Sequence, residues 1–240
     1  MRKYRRISTI AWIIILLLTV RVSSASEITV GTRQIVLPGR EGFAEISEIF
    51  PDAFVFFEDI TPPGNNLRAV LVTEADAATL SESRRPGYGR YFLVQTNESL
   101  ENTDVSAGDF AQIKEASRSA LEKIFAEQKP RIDEISENLS EHLSKNLNAA
   151  VKMKIGETIP IVSNSESDRH FTFSSLTMQS VSAGGKETEF LVVCTGSIVL
   201  LKERLVYLYA YSMYDTIEDL RWTQSEIEKW TAETIEENEI

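Results

Sequence analysis

The chain has 240 residues and a formal net charge of −11, because its 36 acidic residues outnumber its 25 basic ones. Proteins that bind nucleic acid neutralise phosphate with clustered Lys and Arg, so this composition argues against nucleic acid and, for the same reason, against anionic lipid surfaces. The single cysteine excludes an intramolecular disulfide.

The first 25 residues have the three parts of a secretory signal peptide. A cationic start, Arg2 to Arg6, precedes an apolar run, Ile10 to Val20. Ser23 and Ala25 then stand at the −3 and −1 positions of a cleavage site. The alternative is an uncleaved membrane anchor, but a spanning helix needs about 20 apolar residues and Arg21 ends this run. We therefore predict export by the ordinary secretory route and cleavage after Ala25.

The mature chain is strongly acidic. We expect residues 26–240 to form a single α+β domain, with a possible subdivision near residues 148–151. The leader holds five basic residues and no acidic ones, so the mature chain has 20 basic and 36 acidic residues, a net charge of −16. Such a charge favours solubility. The predicted location is the periplasm or the medium, with no membrane span left after cleavage.

Short strands and short helices alternate in the first half of the mature chain. Thr73 is predicted to cap a helix, since Asp76 follows three residues later as in a capping box. Alternation, apolar runs and turn residues predict the other elements. They are strands within 28–37, a helix over 50–60, a loop over 61–66, and strands over 67–72 and 91–95.

A long amphipathic pattern occupies the middle of the chain. Asp109, with Gln112 three residues on, is the predicted start of this helix. Apolar residues recur at helical spacing from Phe110 to Leu147. Pro130 interrupts the pattern and costs about 3 kcal/mol in a helix interior, so we expect a kink or a break there.

The last third of the chain changes to β structure and ends in a helix. The predicted strands cover residues 152–162, 170–181, 190–200 and 205–214. A hairpin is predicted across residues 202–204, and the last helix is expected to begin at Asp215, with Glu218 three residues on. Strands that meet helices without regular βαβ alternation indicate an α+β fold. A short hairpin indicates antiparallel pairing, so we predict a largely antiparallel sheet with packed helices, an α/β sandwich.

Two stretches carry a resemblance to known families. They are the segment Thr61 to Val72 and the strand Leu205 to Tyr211, the latter followed by a final helix with Trp222 and Trp230. Together they resemble a group of uncharacterised bacterial exported proteins. The strand and final helix are also similar to PsbP-like α/β/α sandwich domains. The resemblance implies a fold and carries no catalytic signature.

Common catalytic signatures are absent from the sequence. We find no GxSxG, Walker phosphate loop, HExxH or CxxC. Only His142, His170 and Cys194 are available as soft ligands, and a zinc site draws on several. A Ser–His–Asp arrangement of His170, Asp168 and a distant serine is conceivable, but nothing in the sequence positions these groups. We therefore predict no catalytic residue, no metal and no cofactor.

Three tyrosines form the first candidate site. Tyr207, Tyr209 and Tyr211 alternate, so a regular strand places all three on one face of the sheet. Their phenols can line a ligand groove, or they can pack under a helix with their hydroxyls at the rim. The interpretation that we favour is packing.

The second candidate site is a basic loop in an otherwise acidic chain. Arg84, Arg85 and Arg90 surround a Pro-Gly turn. They can bind an anion, or they can pair with nearby acids such as Glu82, which we favour. Cys194 lies in an apolar run and is expected to be a small buried hydrophobe.

These observations favour a non-enzymatic envelope protein that binds a partner protein or a small ligand through its sheet face or loops. Two alternatives stay open. One is a hydrolase with an unrecognised active site, and the other is an envelope structural protein that self-associates through its long helices.

Overall fold

The computed structural model describes residues 25–82, 87–127, 137, 151–161, 165–183 and 186–239. Within these residues the chain forms nine strands and four helices. The strands are β1 (Ser26–Val30), β2 (Arg33–Leu37), β3 (Phe43–Glu45), β4 (Asn65–Thr73), β5 (Arg90–Asn97), β6 (Val151–Ile161), β7 (His170–Ala183), β8 (Lys186–Leu201) and β9 (Arg204–Met213). The helices are α1 (Pro51–Asp59), α2 (Glu74–Ser81), α3 (Ala107–Glu127) and α4 (Ile217–Asn238).

The prediction of an α+β fold built on an antiparallel sheet is confirmed. Seven strands form one sheet in the order β3-β4-β5-β9-β8-β7-β6, and every neighbouring pair is antiparallel. Strands β1 and β2 form a separate two-stranded sheet. The seven-stranded sheet takes strands from both sides of the possible boundary near residues 148–151, since β5 pairs directly with β9.

The hairpin between β8 and β9 has a turn of only two residues. Its two turn residues, Lys202 and Glu203, have φ values of 48° and 66°. Positive φ at both central residues is the geometry of a type I′ turn, whose twist matches that of the flanking strands. The predicted hairpin is therefore present.

Helix α4 covers one face of the seven-stranded sheet. Inward residues of β5 and β9, such as Phe92 and Leu208, form a buried core with Ile227 and Trp230 of α4. The β1–β2 hairpin joins the same core through Ile35 and its neighbours. Alternate residues of a strand point to opposite faces, so the tyrosines of β9 lie on the other side.

The opposite face carries two smaller clusters. Phe57 of α1 packs over β4 and β5, on Val70 and Leu93. Phe110 of α3 packs over the β8–β9 hairpin, on Leu205 and its neighbours. Helices thus pack against both faces of the sheet.

The predicted cap of α2 is confirmed. The Thr73 hydroxyl accepts a hydrogen bond from the backbone N–H of Asp76, at 3.1 Å. The predicted start of α3 is wrong by three residues, because Ser106 and Asp109 form the reciprocal cap and the helix begins at Ala107. Asp109 is therefore the acid of the capping box, whose first position favours Ser or Thr.

The predicted start of the last helix is wrong by one residue. Thr216 is the N-cap of α4, and the Asp219 carboxylate accepts the backbone N–H of Thr216 at 3.0 Å. Asp215 precedes the cap. The hydroxyl residue again takes the first position of a capping box.

Some predictions lie outside the described residues. These are the signal peptide up to residue 24, the break at Pro130 and the position of His142. Among the helices of the described residues, none is long and apolar enough to cross a membrane.

Candidate functional site

Tyr207, Tyr209 and Tyr211 lie on one face of the sheet, opposite α4. Tyr207 packs with the cluster around Phe110, whereas Tyr209 and Tyr211 pack with the cluster around Phe57. The three tyrosines therefore lie on the part of the sheet face between α1 and α3. All three side chains are half-buried.

The rings of these tyrosines are packed against other residues of the sheet. Tyr211 stacks on Tyr91, with ring centroids 4.8 Å apart and planes inclined by 10°. Tyr209 meets the ring of Phe173 edge-on at 6.3 Å. A Cβ added at Gly196 would lie 2.7 Å from the Tyr209 ring, so this ring rests directly on the glycine backbone. These contacts are those of a packed aromatic layer.

Burial sets the ionisation of these groups. Desolvation raises the pKa of Tyr209 and raises that of Tyr211 well above its ordinary value. It also raises the pKa of the neighbouring Cys194 thiol to about 12. Groups that stay protonated at neutral pH supply neither a general base nor a thiolate nucleophile. Cys194 is 8% exposed.

We expect alkaline titration to follow this packing. Because burial raises the pKa of Tyr91, Tyr209 and Tyr211, their phenolates should not form near pH 10, where tyrosines of an unfolded chain ionise. The fold favours the neutral phenol, so the free energy of unfolding should fall as the pH rises above about 10. Near-ultraviolet phenolate absorbance, measured together with circular dichroism, tests this. Reversible ionisation of every tyrosine near pH ~10 in a native spectrum would contradict the packing.

Of the predicted anion loop, the structure describes only Arg90. Its guanidinium donates to the Asp219 carboxylate of α4 at 3.0 Å and lies 4.4 Å above the ring of Trp222. Arg84 and Arg85 lie outside the described residues. Arg90 is thus engaged by a carboxylate distant in sequence, whereas the sequence had suggested local acids such as Glu82.

His170 is held by two serine hydroxyls of its own turn. Its Nε2 lies 3.0 Å from Ser165 Oγ, and its Nδ1 lies 2.9 Å from Ser167 Oγ. Burial, followed by the positive charge of Lys114, lowers the pKa of the imidazole. Both ring nitrogens therefore face hydroxyls, and the Asp168 carboxylate occupies neither position of the conceivable triad.

The structure also contains an open cleft that sequence reasoning missed. It lies at the end of β9, where the chain enters α4, beside the second half of β7 and the first residues of β8. Its volume is about 380 Å³. Small-molecule and cofactor sites have volumes of about 300–1,000 Å³. The cleft is lined by Met178, Glu189, Phe190, Leu191, Met213, Tyr214 and Asp215.

The lining combines apolar side chains with carboxylates. Met178 and Met213 are exposed large hydrophobic residues, at 46% and 36%. Methionine adapts its shape to different partners and is frequent at binding surfaces. Glu189 and Asp215 are exposed at the rim. The cleft therefore presents polar and apolar groups together, with carboxylates at its rim. Among the described residues no group of three or more His, Cys, Asp and Glu side chains could hold a metal ion.

One sequence signal foreshadows the cleft. Two strands that pair over their full length have similar lengths, but the apolar run of β8 is preceded by four exposed polar residues, Lys186 to Glu189. Strand β9 has no matching extension, because it is followed at once by a helix cap. The polar stretch is visible in the sequence, but the predicted strands, residues 190–200 and 205–214, have similar lengths. The extension of β8 to Lys186 and its position beside α4 were therefore not predicted.

Comparisons with known proteins identify no family. No family model matches the chain, and no curated protein matches it. Among solved structures, the chain is similar to the Saccharomyces cerevisiae Ran-binding protein Mog1p, with 14% identity over 89% of this chain and 94% of that chain, and a TM-score of 0.34. A point mutant of Mog1 gives 13% identity, the same coverage and a TM-score of 0.36. Likenesses this weak carry no argument, and the resemblance to PsbP-like domains stays a prediction.

Proposed function

We propose that the mature protein is an exported, non-catalytic binding module of the cell envelope, and that its binding site is the cleft at the end of β9. The observation that carries the proposal is the cleft itself, in which Met178, Phe190 and Met213 are presented between exposed carboxylates. Soluble proteins usually bury such side chains. Apolar side chains placed beside a small number of polar groups that fix the orientation of a ligand are the general composition of a binding cleft.

The remaining candidate groups support a binding role over a catalytic one. Tyr209 and Tyr211 are packed and remain protonated, and Cys194 is buried as a thiol. Arg90 is engaged by Asp219. Each of these groups has a structural contact that explains its environment.

The site is tested by photo-crosslinking in intact cells that express the full chain. With p-benzoylphenylalanine in place of Met213, we expect a single adduct in the envelope fraction, identified by mass spectrometry. It should be lost when Met178→Glu is added. The matched control is Ile49, an exposed apolar residue outside the cleft. Equal crosslinking from Ile49, or a chain recovered from the cytosol with its first 25 residues attached, would refute the proposal.

A second candidate function, a hydrolase, is favoured by one observation. Ser165 Oγ lies 3.0 Å from His170 Nε2, which is the contact between a nucleophile and its base. Burial and Lys114 lower the pKa of His170, so the imidazole is neutral and able to accept a proton at pH 7. The orienting group at Nδ1 is the Ser167 hydroxyl, where a triad uses a carboxylate.

The hydrolase candidate is decided by a fluorophosphonate probe. We expect the purified mature protein to show no labelling above that of Ser165→Ala, because Ser167 does not stabilise an imidazolium as a carboxylate does. Mass-spectrometric detection of a phosphonylated Ser165 that disappears in His170→Gln would establish the hydrolase and overturn the binding proposal.

A further inference from the structure

The seven-stranded sheet has a step at the cleft. Strand β9 ends at Met213, which is paired with Val192, and the Leu191 carbonyl accepts one more hydrogen bond from the N–H of Tyr214 at 2.8 Å. Strand β8 continues back to Lys186 and is paired with β7 along this whole length. Among the described residues, no strand pairs with 186–190 on the side where β9 would continue. About five residues of sheet edge, roughly 17 Å, therefore have no partner strand there among the described residues.

The open edge presents backbone groups in a known direction. Leu191 directs its carbonyl toward β9, and in an antiparallel strand every second residue directs its N–H and C=O to the same side. Glu189 and Glu187 therefore direct their backbone groups toward the open side, while Thr188 and Phe190 bond toward β7. An added strand would find donors and acceptors at the normal spacing.

The side chains beside this edge differ between the two faces. Glu187, Glu189 and Leu191 share a face with Met178, which is the β7 partner of Leu191. Phe190 shares the other face with Met213, the β9 residue opposite Val192. Residues of an added strand lie directly opposite these positions and share their faces. An added strand would therefore need side chains of alternating character, one facing the carboxylates and the next facing Phe190 and Met213.

Charge decides which alternating segment fits. No described residue forms a salt bridge with Glu187, Glu189 or Asp215, while Glu218 in the first turn of α4 is bonded to Arg221. Lys186 is the one cation on the open stretch of β8. If a second copy of this chain paired at this edge, its Glu187 and Glu189 would lie near those of the first copy. Like charges opposite each other destabilise a strand pair. Lys and Arg side chains can lay their stems on Met178 and reach the carboxylates.

On the basis of the proposed function, we infer that the cleft binds an extended segment of a partner protein with alternating basic and apolar residues, which pairs with residues 187–191 of β8 as an additional strand. Backbone hydrogen bonds provide affinity in this mode, and the alternate side chains provide specificity. The acidic rim selects a basic segment and opposes self-pairing.

The test uses the mature protein and a synthetic peptide of about seven residues in which Lys and Val alternate. With ¹³C-methyl methionine, the Met178 and Met213 signals should shift and saturate. The Met153 signal should not, because Met153 belongs to β6, which follows β7 at the end of the strand order and is not next to β8. An alternating Glu–Val peptide of equal length is the control and should not bind. Higher salt should weaken binding of the basic peptide, because its contacts lie at an exposed rim.

Two matched protein variants separate charge from strand pairing. The double variant Glu187→Gln/Glu189→Gln should weaken the basic peptide about fivefold to tenfold, through loss of exposed charge pairs. Glu189→Pro removes the outward N–H and leaves the β7-facing bonds in place, so it should bind about tenfold more weakly than Glu189→Gln. Native circular dichroism and the Met153 signal verify that each variant is folded.

Any one of four outcomes overturns the inference. Equal binding of the acidic peptide excludes charge selection, and equal binding by Glu189→Pro and Glu189→Gln excludes strand pairing. A dimer in sedimentation equilibrium that the basic peptide dissociates would show that the occupant is a second copy. If the basic peptide fails to bind while Met213 still crosslinks to one partner in cells, the strand-addition inference falls and the proposed binding function stands.

Discussion

Trp230→Ala is expected to lower the free energy of unfolding by about 3–5 kcal/mol, the cost of deleting a buried tryptophan. Trp230 is fully buried at the centre of the core beneath α4. Its ring meets Phe92 edge-on at 5.2 Å, and its indole N–H donates to the Pro38 carbonyl at 2.8 Å. The variant therefore leaves a cavity and an unpaired carbonyl. Since domains are stable by only about 5–15 kcal/mol, the loss is large.

Urea unfolding followed by far-ultraviolet circular dichroism measures the effect. Trp230→Phe is the matched variant, because it keeps most of the apolar volume and loses only the N–H donor. We expect it to cost about 1–2 kcal/mol, and it remains informative if Trp230→Ala does not fold. A change below about 1 kcal/mol in Trp230→Ala would show that α4 does not pack on this core.

Arg40→Met is expected to cost about 2–4 kcal/mol, because it leaves two carboxylates without their shared cation. The Arg40 side chain is 3% exposed, and its two terminal nitrogens each donate to a glutamate of α4, Glu226 and Glu233, at 2.6 Å. Removing one member of a buried ion pair costs about 3–5 kcal/mol. We expect a somewhat lower cost for Arg40→Met because water can partly solvate the two carboxylates, since Glu226 and Glu233 retain 26% and 37% exposure.

Two controls define the origin of this effect. Arg33→Met removes the Arg33–Glu203 pair, which has the same 2.6 Å separation but is exposed on both sides, and should cost less than about 1 kcal/mol. Adding Glu226→Gln and Glu233→Gln to Arg40→Met should restore part of the lost stability, since the amides do not repel each other. Equal costs for Arg40→Met and Arg33→Met would contradict the role of burial.

Both residues act on the helix that borders the cleft. Trp230 and Arg40 hold α4 against the sheet, and α4 begins at Ile217, two residues after the cleft residue Asp215. Loss of either contact should therefore loosen the cleft as well as the core. For this reason the binding variants proposed above change only exposed residues: Glu187 and Glu189 of β8, Met178 of β7 and Met213 of β9.

Local sequence signals predicted most of the secondary structure. Thr73 caps α2 as expected, because its hydroxyl and the backbone N–H of Asp76 lie within one turn and need no tertiary partner. The β8–β9 hairpin was also predictable, since two long apolar strands were separated by only three polar residues. The helix starts at Ser106 and Thr216 were missed because an acid and a hydroxyl residue compete for the cap within a few positions.

Long-range pairings could not be predicted in the same way. Arg90 was expected to pair with a nearby acid, but the pairing of β5 with β9 brings it to Asp219, 129 residues away. Nothing in the sequence around either residue specifies the other. The Ser165–His170 contact is intermediate in range between the helix caps and the Arg90–Asp219 pair, because its two residues are five positions apart.

Within the described residues, the amino-acid sequence by itself determined most of the helices, strands and turns, and that the three tyrosines of β9 share a face, since capping, alternation and turn chemistry act over a few residues. Only the tertiary structure decided the order of the strands, the burial of Arg40 and the step between β8 and β9. These depend on which distant apolar faces bury each other. The cleft exists because β9 ends at Met213, opposite Val192, while its partner β8 extends beyond that point to Lys186. This difference in strand ends arises only when the strands are paired in the sheet.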